Sequence, residues 1–368
     1  MVKLIHAADF HLDSPFSALA EDKAVERRRE QRSILEKLKT LVIDKNADLL
    51  VLSGDLLDSG RPYAETYEQL IGVLSQVQVP VFISPGNHDY YSERSPYASV
   101  RWPDNVHIFN SLQISGISLP ELNLRVWGAG FLSETAQPIL RGFTAPDRSV
   151  LNIMTLHGDV GKPASPYNPI TEEDIAKSGL DYLALGHVHM YSGLKQAGHT
   201  FYAYPGCPEG RGFDETGIKG AIYTEIREDG CKAEFIPLGG RRYEVMRICL
   251  DDKEDIAAAI LSAVPENTRR DIYRLILSGS WDERPDTRTL TEQFGDLFYQ
   301  LEILDRTNLR VSLWAQAGED SLKGLFLNRL KERYDSASSD REREVVTLAA
   351  RYGLAALTNR DAVLEGDI

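Results

Sequence analysis

The sequence predicts an α/β fold, followed by a smaller α+β unit and a helical C-terminal segment. Three observations carry that expectation. Short apolar runs bounded by turn residues alternate with stretches whose apolar residues recur at helical spacing. After Leu238-Gly239-Gly240 the histidines stop and the pattern shifts. Two amphipathic stretches then close the chain.

The strands come first. Lys3–Ala8 runs into Asp9-Phe10-His11, and Ala47–Leu52 into Ser53-Gly54-Asp55. Val79–Ile83 passes through Ser84-Pro85-Gly86 into Asn87-His88-Asp89. Leu151–Leu156 exits into His157-Gly158, and Tyr182–Leu185 into Gly186-His187-Val188-His189. Between them Ile34, Leu35, Leu38, Leu41 and Val42 share one helix face, as do Tyr67, Leu70, Ile71 and Leu74. Strands alternating with helices give an α/β arrangement whose sites gather at the carboxyl ends of the strands.

Turn chemistry accounts for any one of these exits, because Pro, Gly, Asn and Asp favour turns. Five exits that each deliver Asp, Asn or His, and that use five of the eight histidines, point to a shared site. The donor set has carboxylates, an amide and imidazoles but no thiolate. That excludes a structural zinc knot and suits manganese, iron or zinc. Seven candidate ligands exceed the needs of one ion. They suit two ions sharing a carboxylate, roughly 3.5–4 Å apart, which activate a water and clamp the oxygens of a phosphoryl group.

Asp9-x-His11, Gly54-Asp55, Gly86-Asn87-His88-Asp89, His157-Gly158 and Gly186-His187-x-His189, in this order, resemble the calcineurin-like metallophosphoesterase signature. The resemblance implies a β-sandwich flanked by helices. It implies that Asp9, His11 and His189 hold one ion, that Asn87, His157 and His187 hold the other, and that Asp55 bridges them. His88 would face the substrate, stabilise the phosphorane and protonate the leaving oxygen. Mn²⁺ is the expected metal.

The stretches Pro103–Phe109, Ser165–His189 and Tyr204–Gly220 are similar to SbcD-type DNA-repair nuclease subunits, most of all to the YhaO-like branch. That likeness implies a DNA phosphodiesterase with 3′→5′ exonuclease and single-strand endonuclease action. Some relatives carry a second substrate-facing histidine three residues after the bridging Asp, where this chain has Asp58. Asp58 and Arg211 are the candidate substrate-binding residues. Two rival readings stay open: a phosphodiesterase or phosphatase for small nucleotides, and a non-enzymatic interaction module.

Residues 1–238 are thus expected to form the nuclease domain, 239–318 an α+β cap and 319–368 a helical partner-binding segment. Within the cap, Asp255–Val264 reads as a helix and Ile272–Leu277 as a strand. A capping box at Thr289–Glu292 opens a helix through Leu290, Phe294, Leu297, Leu301 and Leu304. Leu309, Val311 and Leu313 alternate as a strand. Asp320 and Ser339 start the two last helices, which by resemblance grip an SbcC-like ABC-type ATPase.

Composition narrows the rest. No apolar run approaches the roughly 20 residues of a membrane helix, so no membrane role is expected. The N-terminus reads as a first strand with no secretory signal. Cys207, Cys231 and Cys249 are odd in number without C-x-x-C spacing, as in a reducing cytoplasm. A net charge of −14 speaks against strong unaided DNA binding, so a partner would supply basic surface. The oligomeric state stays open, a homodimer included. His6 and Cys207 read as core residues, His107 and His199 as surface, and Arg27-Arg28-Arg29 as a solvated helix face.

Overall fold

The computed structural model describes residues 1–309 and 313–358. The predicted strands and helices form in order: β1 (Val2–Ala7), α1 (Glu21–Asp44), β2 (Leu49–Leu52), α2 (Ala64–Gln76) and β3 (Val81–Ile83). Then come α3 (Pro96–Ser99), β4 (Val106–Ile108), β5 (Ser115–Leu119), β6 (Leu124–Gly128), β7 (Leu151–His157), α4 (Glu172–Lys177) and β8 (Tyr182–Gly186). The strands β9 (Lys195–Ala197), β10 (Thr200–Ala203), β11 (Gly220–Arg227) and β12 (Gly230–Pro237) complete two six-stranded sheets. Their orders are β12-β11-β1-β2-β3-β4 and β5-β6-β7-β8-β10-β9.

The strands are apolar on both faces because both faces are covered. In β1, Val2 and Leu4 pack between the sheets, while Ile5 and Ala7 face a core shared with Leu35 and Leu38 of α1. In β2, Leu49 and Val51 point inward between the sheets, and Leu50 and Leu52 point to that same helix side. Val126, Ile153, Tyr182 and Ala184 complete the inter-sheet core from the other sheet. On its outer face Met154, Leu156, Leu183 and Leu185 pack with Ile175 of α4. Period-two alternation with both sides buried yields the unbroken apolar runs of the sequence. His6 and Cys207 are core residues, as expected.

A third sheet joins β13 (Tyr243–Cys249), β14 (Ile272–Trp281) and β15 (Gln300–Leu309), with α5 (Ile256–Ala263) and α6 (Thr287–Phe294) between its strands. The helix expected through Leu304 is shorter. Asp286 caps it by accepting from the Thr289 backbone at 3.1 Å, and Gly295 follows its last residue. Leu301 and Ile303 are instead alternate buried positions of β15. The strand expected at 309–313 is displaced: β15 ends at Leu309, Leu313 lies in a turn, and Val311 lies outside the described residues.

The chain divides into two compact units. One is Met1–Val245 with Asn267–Arg274 and Gly295–Leu301. The other is Met246–Glu266, Leu275–Phe294 and the chain from Glu302 onward. In the latter, α7 (Leu322–Asp335) is capped by Ser321 rather than Asp320 and packs on α8 (Asp340–Thr358). Leu327 and Ala350 are buried, and Gly353 leaves room for the Phe326 ring.

Two residues depart from the surface positions expected for them. Arg27 is fully buried, with Glu30 and Glu209 each at 2.5 Å. Its partner Glu209 is too far along the chain for helix periodicity to reveal. His107 stacks on Phe82 with ring centroids 5.1 Å apart.

Candidate metal centre

The five polar exits come from both large sheets, three from the β1 side and two from the β7 side, and they converge. Hydrogen bonds between exits fix their registers. Asp9 donates its backbone N–H to the Gly54 carbonyl at 3.0 Å, and His11 donates to that of Asp55 at 2.9 Å. The Asp89 carboxylate holds the third exit to the second. It accepts from the backbone of Gly86 (2.9 Å), Leu56 (2.7 Å) and Leu57 (3.1 Å) and from the Tyr97 hydroxyl (2.6 Å). The glycines of these motifs are needed for approach. A Cβ on Gly86 would collide with the Asp55 carboxylate, and one on Gly54, at φ +89°, would lie 2.5 Å from His157 Nδ1.

Four of the expected ligands sit in left-handed backbone: Asp9 (φ 56°), His11 (φ 45°), Asp55 (φ 51°) and His187 (φ 105°). Non-glycine residues hold such angles only where surrounding structure enforces them, and they cluster at functional sites.

All seven expected ligands meet through one continuous set of donor atoms. Asp9, His11 and His189 offer atoms within 4.8 Å of one another, as do Asp9, Asp55 and His157. His11 Nε2 lies 3.2 Å from His189 Nε2 and 3.6 Å from Asp55 Oδ2. His157 Nε2 lies 3.0 Å from Asn87 Oδ1 and 3.3 Å from Asp55 Oδ2, and His187 Nδ1 lies 3.2 Å from the same Asn87 oxygen. Asp55 touches both groups, as a bridging ligand must.

The opposite nitrogens of His157, His187 and His189 have hydrogen-bond partners, whereas His11 Nδ1 has a carboxylate nearby but no hydrogen bond to it. His157 Nδ1 donates to the Ser53 carbonyl at 2.9 Å. His187 Nε2 faces Asp159 at 3.2 Å, His189 Nδ1 faces Glu215 at 2.7 Å, and His11 Nδ1 lies 3.2 Å from Asp58. Such partners select the tautomer and aim the free lone pair. Imidazole nitrogens, an amide oxygen and two carboxylates therefore converge, an acceptor-rich set suited to cations. This donor chemistry fits two divalent ions.

The electrostatics of the metal-free chain agree. Burial raises the Asp9 carboxyl to about 6, although His157 and His189 pull it down. Burial would also raise Asp55, but the charge and hydrogen bond of His157 hold it well below the ordinary carboxylate range. Burial would lower His157, yet Asp55 and Asp9 lift it to about 9. A proton thus occupies space that a metal would claim.

His88 stands apart from the seven by its exposure. Its backbone N–H donates to Asp55 Oδ1 at 2.9 Å, and its Nδ1 lies 3.3 Å from the Asp58 carbonyl. Its donor atoms also come within 4.8 Å of His11 and Asp58. The ring lines an open cleft of 360 Å³ with Asn87, Tyr90, Glu134 and Tyr167. Of the two expected substrate contacts, Asp58 faces His11, Ser14 and Arg211, and Arg211 lies between Asp58 and Glu215. Sequence reasoning missed Asp159 and Glu215, and it named Asp89 within its motif without giving it a role. Asp159 had a faint signal, standing two residues after His157. Glu215 had none.

The family profile described as calcineurin-like phosphoesterase matches residues 2–191, just over half of the chain. The chain belongs to the calcineurin-like phosphoesterase family. Among curated members, it is 30% identical over 243 residues to the uncharacterized metallophosphoesterase YhaO of Bacillus subtilis. It is 27% identical over 248 residues to the DNA double-strand break repair protein Mre11 of Saccharolobus solfataricus. These matches cover 63% and 62% of this chain but only 59% and 61% of the relatives. A dimetal phosphatase from Danio rerio superposes with a TM-score of 0.40 at 11% identity, over 63% of this chain and 98% of its own. The phosphoesterase profile ends just beyond His189, so it contains all seven candidate ligands and His88.

Proposed function

We propose that this phosphoesterase hydrolyses phosphodiester bonds in DNA, as a 3′→5′ exonuclease with single-strand endonuclease action. One observation carries the reading. Asp9, His11, Asp55, Asn87 and His157 are buried and His187 and His189 half-buried, whereas His88 alone among its histidine neighbours is exposed, on a solvent-open cleft. The likeness to a double-strand break repair protein supports DNA over a small phosphate ester.

Asp9, His11 and His189 would hold one ion, Asn87, His157 and His187 the other, and Asp55 both. When bound, the ions, Mn²⁺ by preference, supply Lewis-acid activation of the phosphoryl group and its attacking water. The chain's own residues do the rest. The Asp58 carbonyl accepts a hydrogen bond from His88 Nδ1–H, which leaves Nε2 as the atom that would pass a proton to the leaving oxygen. The backbone N–H of His88 holds the Asp55 carboxylate in place. Tyr90 and Tyr167 border the cleft and can receive bases by stacking.

The partner is an SbcC-like ATPase bound by α7 and α8. Support comes from Leu322, Leu325, Val345 and Tyr352, which stay more than half exposed on these helices, and from a chain too acidic to hold DNA tightly alone. Leu322→Asp with Leu325→Asp should abolish co-purification with the ATPase and leave metal content unchanged. The compartment is the cytoplasm, in keeping with three free cysteines. No helix among the described residues is long and apolar enough to cross a membrane.

The test is Mn²⁺-dependent digestion of end-labelled single- and double-stranded DNA, with and without the ATPase. Release of mononucleotides or short oligonucleotides is expected. Far faster hydrolysis of a phosphomonoester or a cyclic nucleotide would overturn this reading in favour of a small-nucleotide enzyme.

A further inference from the structure

Arg211 closes a ring of contacts around one half of the metal centre. Its Nη1 donates to Asp58 Oδ1 at 3.1 Å, and Asp58 Oδ1 lies 3.2 Å from His11 Nδ1. Its Nη2 donates to Glu215 Oε1 at 2.7 Å, and Glu215 Oε1 lies 2.7 Å from His189 Nδ1. The ring ends where the two imidazoles meet, His11 Nε2 facing His189 Nε2 at 3.2 Å. The Arg211 Nε also donates to Glu215, at 3.2 Å. Each guanidinium nitrogen therefore has a carboxylate partner. Both carboxylates are turned toward the outer nitrogens of the two histidines.

We propose that Arg211 is a positioning residue for the ion held by Asp9, His11 and His189. It works as a clasp that orients both histidines, through Asp58 beside His11 and through Glu215 together with its own Nη2, 3.2 Å from Nδ1, at His189, and it does not itself touch the phosphate. The proposal rests on the two-ion reading of the centre. The clasp depends on geometry as well as charge. A planar guanidinium spans two carboxylates at fixed angles, and an ammonium cannot reproduce that span. It is also specific to one ion. His157 and His187 take their orientation from the Ser53 carbonyl and from Asp159, which lie outside the ring.

Calorimetric titration of the whole chain with Mn²⁺ tests this without any turnover. Partners of metal-binding histidines typically alter affinity by roughly ten- to a hundredfold. Arg211→Gln should weaken one of two ions by about that factor and leave the other at wild-type affinity. Its electron paramagnetic resonance spectrum at one equivalent should be that of isolated Mn²⁺. Asp159→Ala should weaken one ion too, and the double variant should retain no wild-type site, because the two act on different ions. Arg211→Lys should stay close to the Gln variant. The clasp is overturned if Arg211→Gln binds both ions as the wild type does or weakens both equally, if Lys restores full affinity, or if the double variant keeps one wild-type site. A wild-type chain that takes up fewer than two ions overturns the two-ion reading, and the clasp with it.

Discussion

Asn87 Oδ1 lies 3.0 Å from His157 Nε2, and the space between them takes either a proton or a metal ion. Since His157 also donates from Nδ1 to Ser53, the protonated ring is fully satisfied in the metal-free chain. Desolvation would lower this ring, but the charge and hydrogen bond of Asp55, with Asp9 and the Ser53 carbonyl, hold its proton up to about 9.

Metal uptake near neutral pH should therefore release a proton. Below about 9 the ion must displace the His157 proton, so apparent affinity should rise with pH and level off above that value. Titration in two buffers of different ionisation enthalpy measures the release. No release at pH 7 would place the His157 proton elsewhere.

Asp55 touches both donor groups, with His11 at 3.6 Å and His157 at 3.3 Å. Asp55→Ala should remove both ions and all hydrolysis. Metal analysis of the purified variant is the check, and full retention of either ion would cost Asp55 its bridging role.

His88→Gln should keep both ions and lose turnover by about 10²–10⁴, the usual worth of a general acid. Metal content and phosphodiester cleavage must be measured in one preparation. A missing ion would turn His88 into a ligand, in line with its approach to His11 and Asp58.

Asp89→Ala should destabilise the fold, at roughly 1–3 kcal/mol for each buried donor left without an acceptor. Its loss strands the N–H groups of Gly86, Leu56 and Leu57 and the Tyr97 hydroxyl. Denaturant unfolding measures this. Metal affinity should fall as well, because Asp89 fixes the Asn87 exit against the Asp55 exit.

The five strands and the seven donors were legible because each strand ends at its donor, so periodicity and chemistry are read in one short stretch. The partners that aim the donors were not. Glu215 reaches His189 from 26 residues away and Glu209 reaches Arg27 from 182, separations that carry no periodic signal. The stretch from Leu290 to Leu304 shows where spacing misleads. Its leucines fit a helix, but Leu301 and Ile303 fit a strand equally well, and the fold takes the strand once Gly295 has ended α6. Arg211 was read as a phosphate contact from its place after the last motif, whereas its closest partners are carboxylates.

The most direct test of the two-ion centre is elemental analysis of the wild-type chain after saturation with Mn²⁺ and removal of free metal. Two ions per chain, both lost in Asp55→Ala, is the predicted result. One ion per chain, or two that survive the loss of Asp55, would contradict it.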